Sequence, residues 1–256
     1  MRSLIISVGL LTVMVPALAA DFSALDDRTL AGNSRYDRCL SLTQRNASLA
    51  LGTAVAWQGN GGDGAATHCA ALALVALRRY PEAAARLDQL GHENLGSVAG
   101  RAALFDQAGN AWLLAHRGPE AIASFTSALA LAPRDPDLLA DRARAAALIG
   151  DWKSAEADLT AALSRDASRA DFLVLRASAR HALGRKPEAS ADLDQALRIV
   201  PNYAEALVER GALKLEAGDT NGARADWQTV VARAPNSTAA QSAQEHLREM
   251  PPPSAK

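Results

Sequence analysis

From Ala102 to Ser237 the chain is one 34-residue unit written four times, with no insertion or deletion between copies. Pro133, Ala167, Pro201 and Pro235 fall in register. The twentieth place is always alanine (Ala121, Ala155, Ala189, Ala223), and the twenty-fourth is large and apolar (Phe125, Leu159, Leu193, Trp227). The twenty-seventh is small or branched (Ala128, Ala162, Ala196, Val230). A unit this short cannot shelter its own apolar side. Neighbouring copies must supply the shelter, so the chain is restricted to a stack of supersecondary units.

This period and residue pattern resemble the tetratricopeptide repeat (TPR), more narrowly the exported TPR proteins of alphaproteobacteria. The resemblance implies an all-α, right-handed superhelix, a solenoid of stacked antiparallel helix pairs. Composition agrees with helices, since alanine is abundant and aromatic residues reach only 4%. A sandwich or barrel would need more Val, Ile, Thr and Tyr. The four regular copies run 102–135, 136–169, 170–203 and 204–237. In three of them a glycine at the fifteenth place (Gly150, Gly184, Gly218) lets the chain leave the first helix in a left-handed conformation. In the copy starting at Ala102 the glycine, Gly118, lies beyond that place, so its turn is expected to differ in shape.

Around this array, residues 1–19 read as a signal peptide. Arg2 gives the charged start, Leu4 to Val15 the apolar run, and Ala17-Leu18-Ala19 the small-residue cleavage site. Residues 20–33 form an irregular lead-in. Residues 34–101 carry degenerate TPR-like helices: one capped by Ser34 with Tyr36, Cys39, Leu40 and Leu42 apolar, and one capped by Asn46 with Leu49, Ala50, Val55 and Trp57 inward. The glycine run Gly59 to Gly64 ends the second. A third helix spans Ala65 to Arg79, with Cys69, Leu72, Val75 and Ala76 buried. Tyr80-Pro81-Glu82-Ala83 then repeats the middle of the unit, and Gly91 is expected to cut its helix short. Residues 238–250 form a capping helix with Ala240, Ala243, Leu247 and Met250 inward, and 251–256 a disordered tail.

Two internal patterns suggest structural bonds. The seventh place is arginine in the last three copies (Arg142, Arg176, Arg210), and the twenty-third is aspartate in the same three (Asp158, Asp192, Asp226). The remaining copy has Ala108 and Ser124 instead, so charges that come and go together are expected to meet as ion pairs. The chain's two cysteines, Cys39 and Cys69, are expected to form a disulfide in an oxidising compartment. In stacked repeats the first helices of successive units lie side by side, and both cysteines sit on such helices. Two free buried thiols are the alternative.

Several chemistries find no support. Charges nearly cancel, 27 basic against 28 acidic, which leaves no excess for phosphate neutralisation, so no nucleic-acid partner is expected. The glycine run lacks the strand and Lys-Ser/Thr pair of a phosphate loop. His68, His92, His116, His181 and His246 lack metal-ligand spacing and read as surface or groove residues. No nucleophile–base arrangement is present. No catalytic residue, metal or cofactor is expected.

The resemblance places a binding groove on the first helices, at positions two, five, nine, twelve and thirteen. Its lining would include Asp106, Asn110, Leu113, Leu114, Asp137, Arg144, Leu148, Asp171, Val174, Ser178, His181, Glu205, Val208, Leu215 and Glu216. The family's clamp for a C-terminal carboxylate needs several Lys, Asn and Arg there, and only Asn110 and Arg144 fit. The expected function is a non-catalytic protein–protein interaction scaffold of the cell envelope, periplasmic or secreted. It would bind an unidentified protein or peptide and make no stable membrane insertion after signal cleavage. A self-associating structural subunit, aided by Phe22 and Leu25, is the alternative.

Overall fold

A computed structural model describes residues 34–93 and 96–250. The leader, the lead-in with Phe22 and Leu25, and the tail lie outside the described residues, as does the side chain of Ser34, the expected first cap. The described residues divide into two compact units, one through Arg165 and one from Asp166.

The first unit holds α1 (Ser34–Arg45), α2 (Ala47–Gln58), α3 (Asp63–Ala76), α4 (Tyr80–His92), α5 (Val98–Leu114), α6 (Gly118–Leu131), α7 (Pro136–Leu148) and α8 (Trp152–Leu163). The second holds α9 (Ala170–Ala182), α10 (Lys186–Ile199), α11 (Ala204–Glu216), α12 (Thr220–Arg233) and α13 (Thr238–Glu249). Within each unit consecutive helices pack as pairs, and first helices also touch: α1 with α3, α5 with α7, α9 with α11, and α11 with α13. The result is the all-α solenoid arrangement of stacked helix pairs.

The core is built from the recurring places. Ala121, Ala155, Ala189 and Ala223 are fully or almost fully buried, as are Phe125, Leu159, Leu193 and Trp227. Alanine at the crossing lets helices approach closely, and the larger side chain fills what remains. Ala239, Ala240 and Ala243 of α13, with Met250 just after it, close over Leu207, Ala223, Trp227 and Val230.

The glycines depart from expectation in an informative way. Arg78 (φ 58°) and His116 (φ 57°) take the left-handed conformation that Gly150, Gly184 and Gly218 take elsewhere. All five turns close with the same bonds: His116 N donates to Leu113 O and Arg117 N to Trp112 O, as Gly150 N does to Ala147 O and Asp151 N to Ala146 O. The turn after α5 therefore keeps the common shape. Gly118 serves packing instead, for a Cβ there would lie 2.4 Å from Ile149 Cγ2. Gly91 likewise does not stop its helix, which runs on to His92. It is buried, and a Cβ would come within 2.8 Å of the Phe105 ring.

Other local expectations also need correction. On α2, capped as expected by Asn46, Leu49 is 54% and Val55 48% exposed, whereas Ala50 and Ala54 are buried and Trp57 packs half-buried on the core, as expected. The third helix begins at Asp63, inside the glycine run, and ends at Ala76, which is exposed. The first turn of α5 starts at Val98, before Ala102, because the Ser97 hydroxyl accepts from Gly100 N and opens the helix there.

Candidate interaction surface

The second helices clamp the first through charge. Arg142 donates from Nε and Nη2 to the two oxygens of Asp158, both at 2.8 Å. Arg176 makes the same fork with Asp192 at 2.9 and 2.8 Å, and Arg210 with Asp226 at 2.9 Å twice. The forks are more elaborate than simple pairs. Arg180 adds a bond of 2.8 Å to Asp192, and Lys214 one of 2.8 Å to Asp226. Burial pushes the Asp226 carboxyl upward, but the bonds from Arg210 and Lys214 outweigh it and hold it below its ordinary value. In the copy lacking such a pair, Asp88 of α4 accepts from Ser124 Oγ and Trp112 Nε1, each at 2.7 Å.

Cys39 and Cys69 are joined in a disulfide, with Cα atoms 6.2 Å apart, and tie α1 to α3. Beside it lies His68, which is wholly buried rather than at a surface or groove. The Tyr36 hydroxyl donates to its Nδ1 at 2.6 Å, and its Nε2–H donates to Gln107 Oε1 at 2.9 Å. Burial lowers the imidazole to about 4, with the Gln107 bond opposing, so the ring is neutral. Burial likewise raises the Tyr36 phenol, and Asp37 adds to the shift.

The expected groove residues divide between the two units. In the first, Asp106 and Asn110 on α5 meet Arg144 on α7. Asn110 Nδ2 donates to Asp106 Oδ1 at 3.1 Å. It also bonds Asp141, which is paired with Arg144. Burial, then the fields of Asp141, Asp135 and Asp137, raises the Asp106 carboxyl to about 7, with Arg144 opposing. Burial also raises Asp141, against Arg144 and Asn110. Asn110 and Arg144 are thus engaged with carboxylates of this chain. Leu113 and Leu114 are half-buried, while Asp137 and Leu148 are exposed.

In the second unit, Ser178 gives its hydroxyl to Val174 O at 3.2 Å, and Val174 is core rather than lining. Val208 is half-buried and packs on the C-terminal core, its carbonyl accepting from Trp227 Nε1 at 3.1 Å. His181 Nε2 lies 3.0 and 3.1 Å from the two oxygens of Glu216, which Lys186 also reaches at 2.8 Å. Asp171 pairs with Arg169, and Glu205 is half-buried.

Two carboxylates on these surfaces escaped the sequence reading, Asp141 and Glu209. Both occupy position six. Positions two, six, nine and thirteen follow an i, i+4, i+7, i+11 spacing and share one stripe of a helix, a signal present in the repeat alignment. Among the described residues no group of three or more His, Cys, Asp and Glu could hold a metal ion.

No family model matches this sequence, and no curated protein matches it. Solved structures do. The chain is similar to TTC0263, a thermophilic TPR protein of Thermus thermophilus, at 19% identity and a TM-score of 0.56, covering 70% of this chain and 95% of that one. YrrB, described as a TPR protein with an unusual peptide-binding site, gives 17% and 0.54, covering 74% and 96%. MamA gives 13% and 0.55, covering 70% and 96%. At these identities the likeness is one of fold, and the fold is that of TPR proteins.

Proposed function

We propose that this chain is a non-catalytic scaffold whose first-helix surfaces bind a peptide or helix of a partner protein in the cell envelope. One observation carries the reading. The helices α5 with α7, and α9 with α11, each bring half-buried polar side chains together beside exposed apolar ones such as Leu148 and Leu215. Such a mixture suits an extended segment that offers both backbone and side chains. YrrB, a TPR protein with an unusual peptide-binding site, agrees with it. Export is supported by the leader pattern of the first nineteen residues and by the disulfide between the two cysteines. No described helix is long and apolar enough to cross a membrane.

Affinity capture from an envelope extract tests the reading. The wild-type chain should retain a protein that the Asn110→Glu, Arg144→Glu double variant releases. Equal capture by both would contradict it.

A self-associating subunit is the second reading. It is favoured by α2, which has no charged side chain and exposes Leu49 and Val55. Light scattering decides: a dimer abolished by Leu49→Asp supports it, and a wild-type monomer counts against it.

A further inference from the structure

Glu209 stands on α11 at position six of its repeat and faces the field of His181 on α9. Among the described residues it makes no hydrogen bond and no ion pair. His181 is itself engaged elsewhere, its Nε2 lying 3.0 Å from Glu216. Glu205, one turn earlier on the same helix, adds a second negative charge rather than a counter-ion.

The chain itself shows what satisfies a carboxylate at this position. Two repeats earlier, position six is Asp141, and Arg144, three residues along the same helix, pairs with it. Residues three apart on a helix are surface neighbours. In the last repeat the residue three along is Ala212. Glu209 therefore has the carboxylate of the pair without the guanidinium, for Ala212, half-buried against the C-terminal core, supplies no cation.

We propose that the α9–α11 surface takes up a cationic side chain, an arginine or lysine of an extended partner peptide, at the Glu209 carboxylate. The inference rests on the peptide-binding reading above and adds the chemistry of the partner. The incoming cation occupies the place that Arg144 holds beside Asp141, and its methylene stem lies over the methyl of Ala212. Burial raises the Glu209 carboxyl, with His181 opposing, as expected of a recessed charge short of a counter-ion. A charge-assisted bond at such a place gives selectivity as well as affinity.

The test titrates the full chain with an N-acetylated, C-amidated peptide alternating alanine and arginine, and with the same peptide carrying citrulline for arginine. Wild type should bind the arginine peptide at least about tenfold more tightly than the Glu209→Gln variant does. Glu209→Gln, which keeps the side chain's size, should leave circular dichroism unchanged. Citrulline should abolish the preference. Equal affinity for the two peptides, no effect of Glu209→Gln, or no binding at all would overturn the proposal. In those cases a wild-type chain that still captures a protein through the Asn110 and Arg144 surface keeps the broader reading, and loss of that capture removes both.

Discussion

Gly211 of α11 faces Trp227 of α12 so closely that a Cβ on the glycine would lie 2.5 Å from the indole Nε1. Gly109 stands in the same relation to Phe125, at 2.6 Å from the ring. Where position twenty-four is leucine (Leu159, Leu193), position eight is alanine (Ala143, Ala177). The two places share a fixed volume, which aromatic plus glycine or leucine plus alanine fills. Exchange should show this. Gly211→Ala would gain roughly 1 kcal/mol of helix propensity in isolation, yet overpacking should reverse the sign to a loss of about 1–3 kcal/mol. In a Trp227→Leu background the same substitution should stabilise. Urea denaturation of the four variants checks this, and additive effects would refute it.

His116 and Arg78 hold left-handed conformations that disfavour side chains by about 1–2 kcal/mol. Both are exposed and occupy the place glycine fills in three other turns. His116→Gly and Arg78→Gly should therefore each raise stability by about 1 kcal/mol. Thermal melts read this directly, and an unchanged or lower Tm would contradict it.

Asp192 is almost fully buried and receives both Arg176 and Arg180. Removing the carboxylate leaves two cations without it, whereas removing Arg176 leaves Arg180 in place. Asp192→Asn should thus be the costlier change, by about 3–5 kcal/mol, and Arg176→Ala the milder. Chemical denaturation of the two variants ranks them, and the reverse order would show that the fork with Arg176 alone carries the interaction.

Acid should act through His68. Its folded value of about 4 lies below the ordinary 6.5, so the unfolded chain takes the proton first. Stability should fall by about 1.4 kcal/mol per pH unit as pH drops from 6.5 to 4. Asp106 works the other way. Its folded value of about 7 exceeds the ordinary 3.8, so its contribution is present at low pH and lost as pH rises through 7. Asp106→Asn should stabilise at pH values above 7, with the gain shrinking toward acid. Denaturation curves of wild type, His68→Gln and Asp106→Asn across this range separate the two groups.

Reduction of the Cys39–Cys69 bridge removes a link across a separation of 30 residues. In the chain-entropy treatment this lowers stability by about 3–4 kcal/mol. The loss should fall on α1, so amide exchange in α1 should accelerate on reduction while that in α9–α13 stays unchanged. Uniform protection with and without reductant would contradict this.

The repeat made most of the architecture legible, because a 34-residue register repeats both the buried places and the charged pairs. Arg142 with Asp158 could be matched by their joint absence in the copy holding Ala108 and Ser124. What escaped were relations that one chain's pattern does not encode. Backbone angle at His116 is invisible when the usual glycine is missing. Gly91 reads as a helix stop until the Phe105 ring is seen against it. His68 reads as polar until Tyr36 and Gln107 are found on its two nitrogens. On the interaction surface, position six was passed over because the family resemblance directs attention to other places, and Glu209 went with it.

The working surface itself can be interrogated by a photo-crosslinking amino acid placed singly at Ser178 or Val208 on the first helices, or at Glu188 or Arg198 on the exposed side of α10. Irradiation in a native envelope extract should give a discrete partner adduct from Ser178 and Val208 and none from Glu188 or Arg198. Adducts from Glu188 and Arg198 with none from Ser178 and Val208 would place the partner on the second helices and contradict the account.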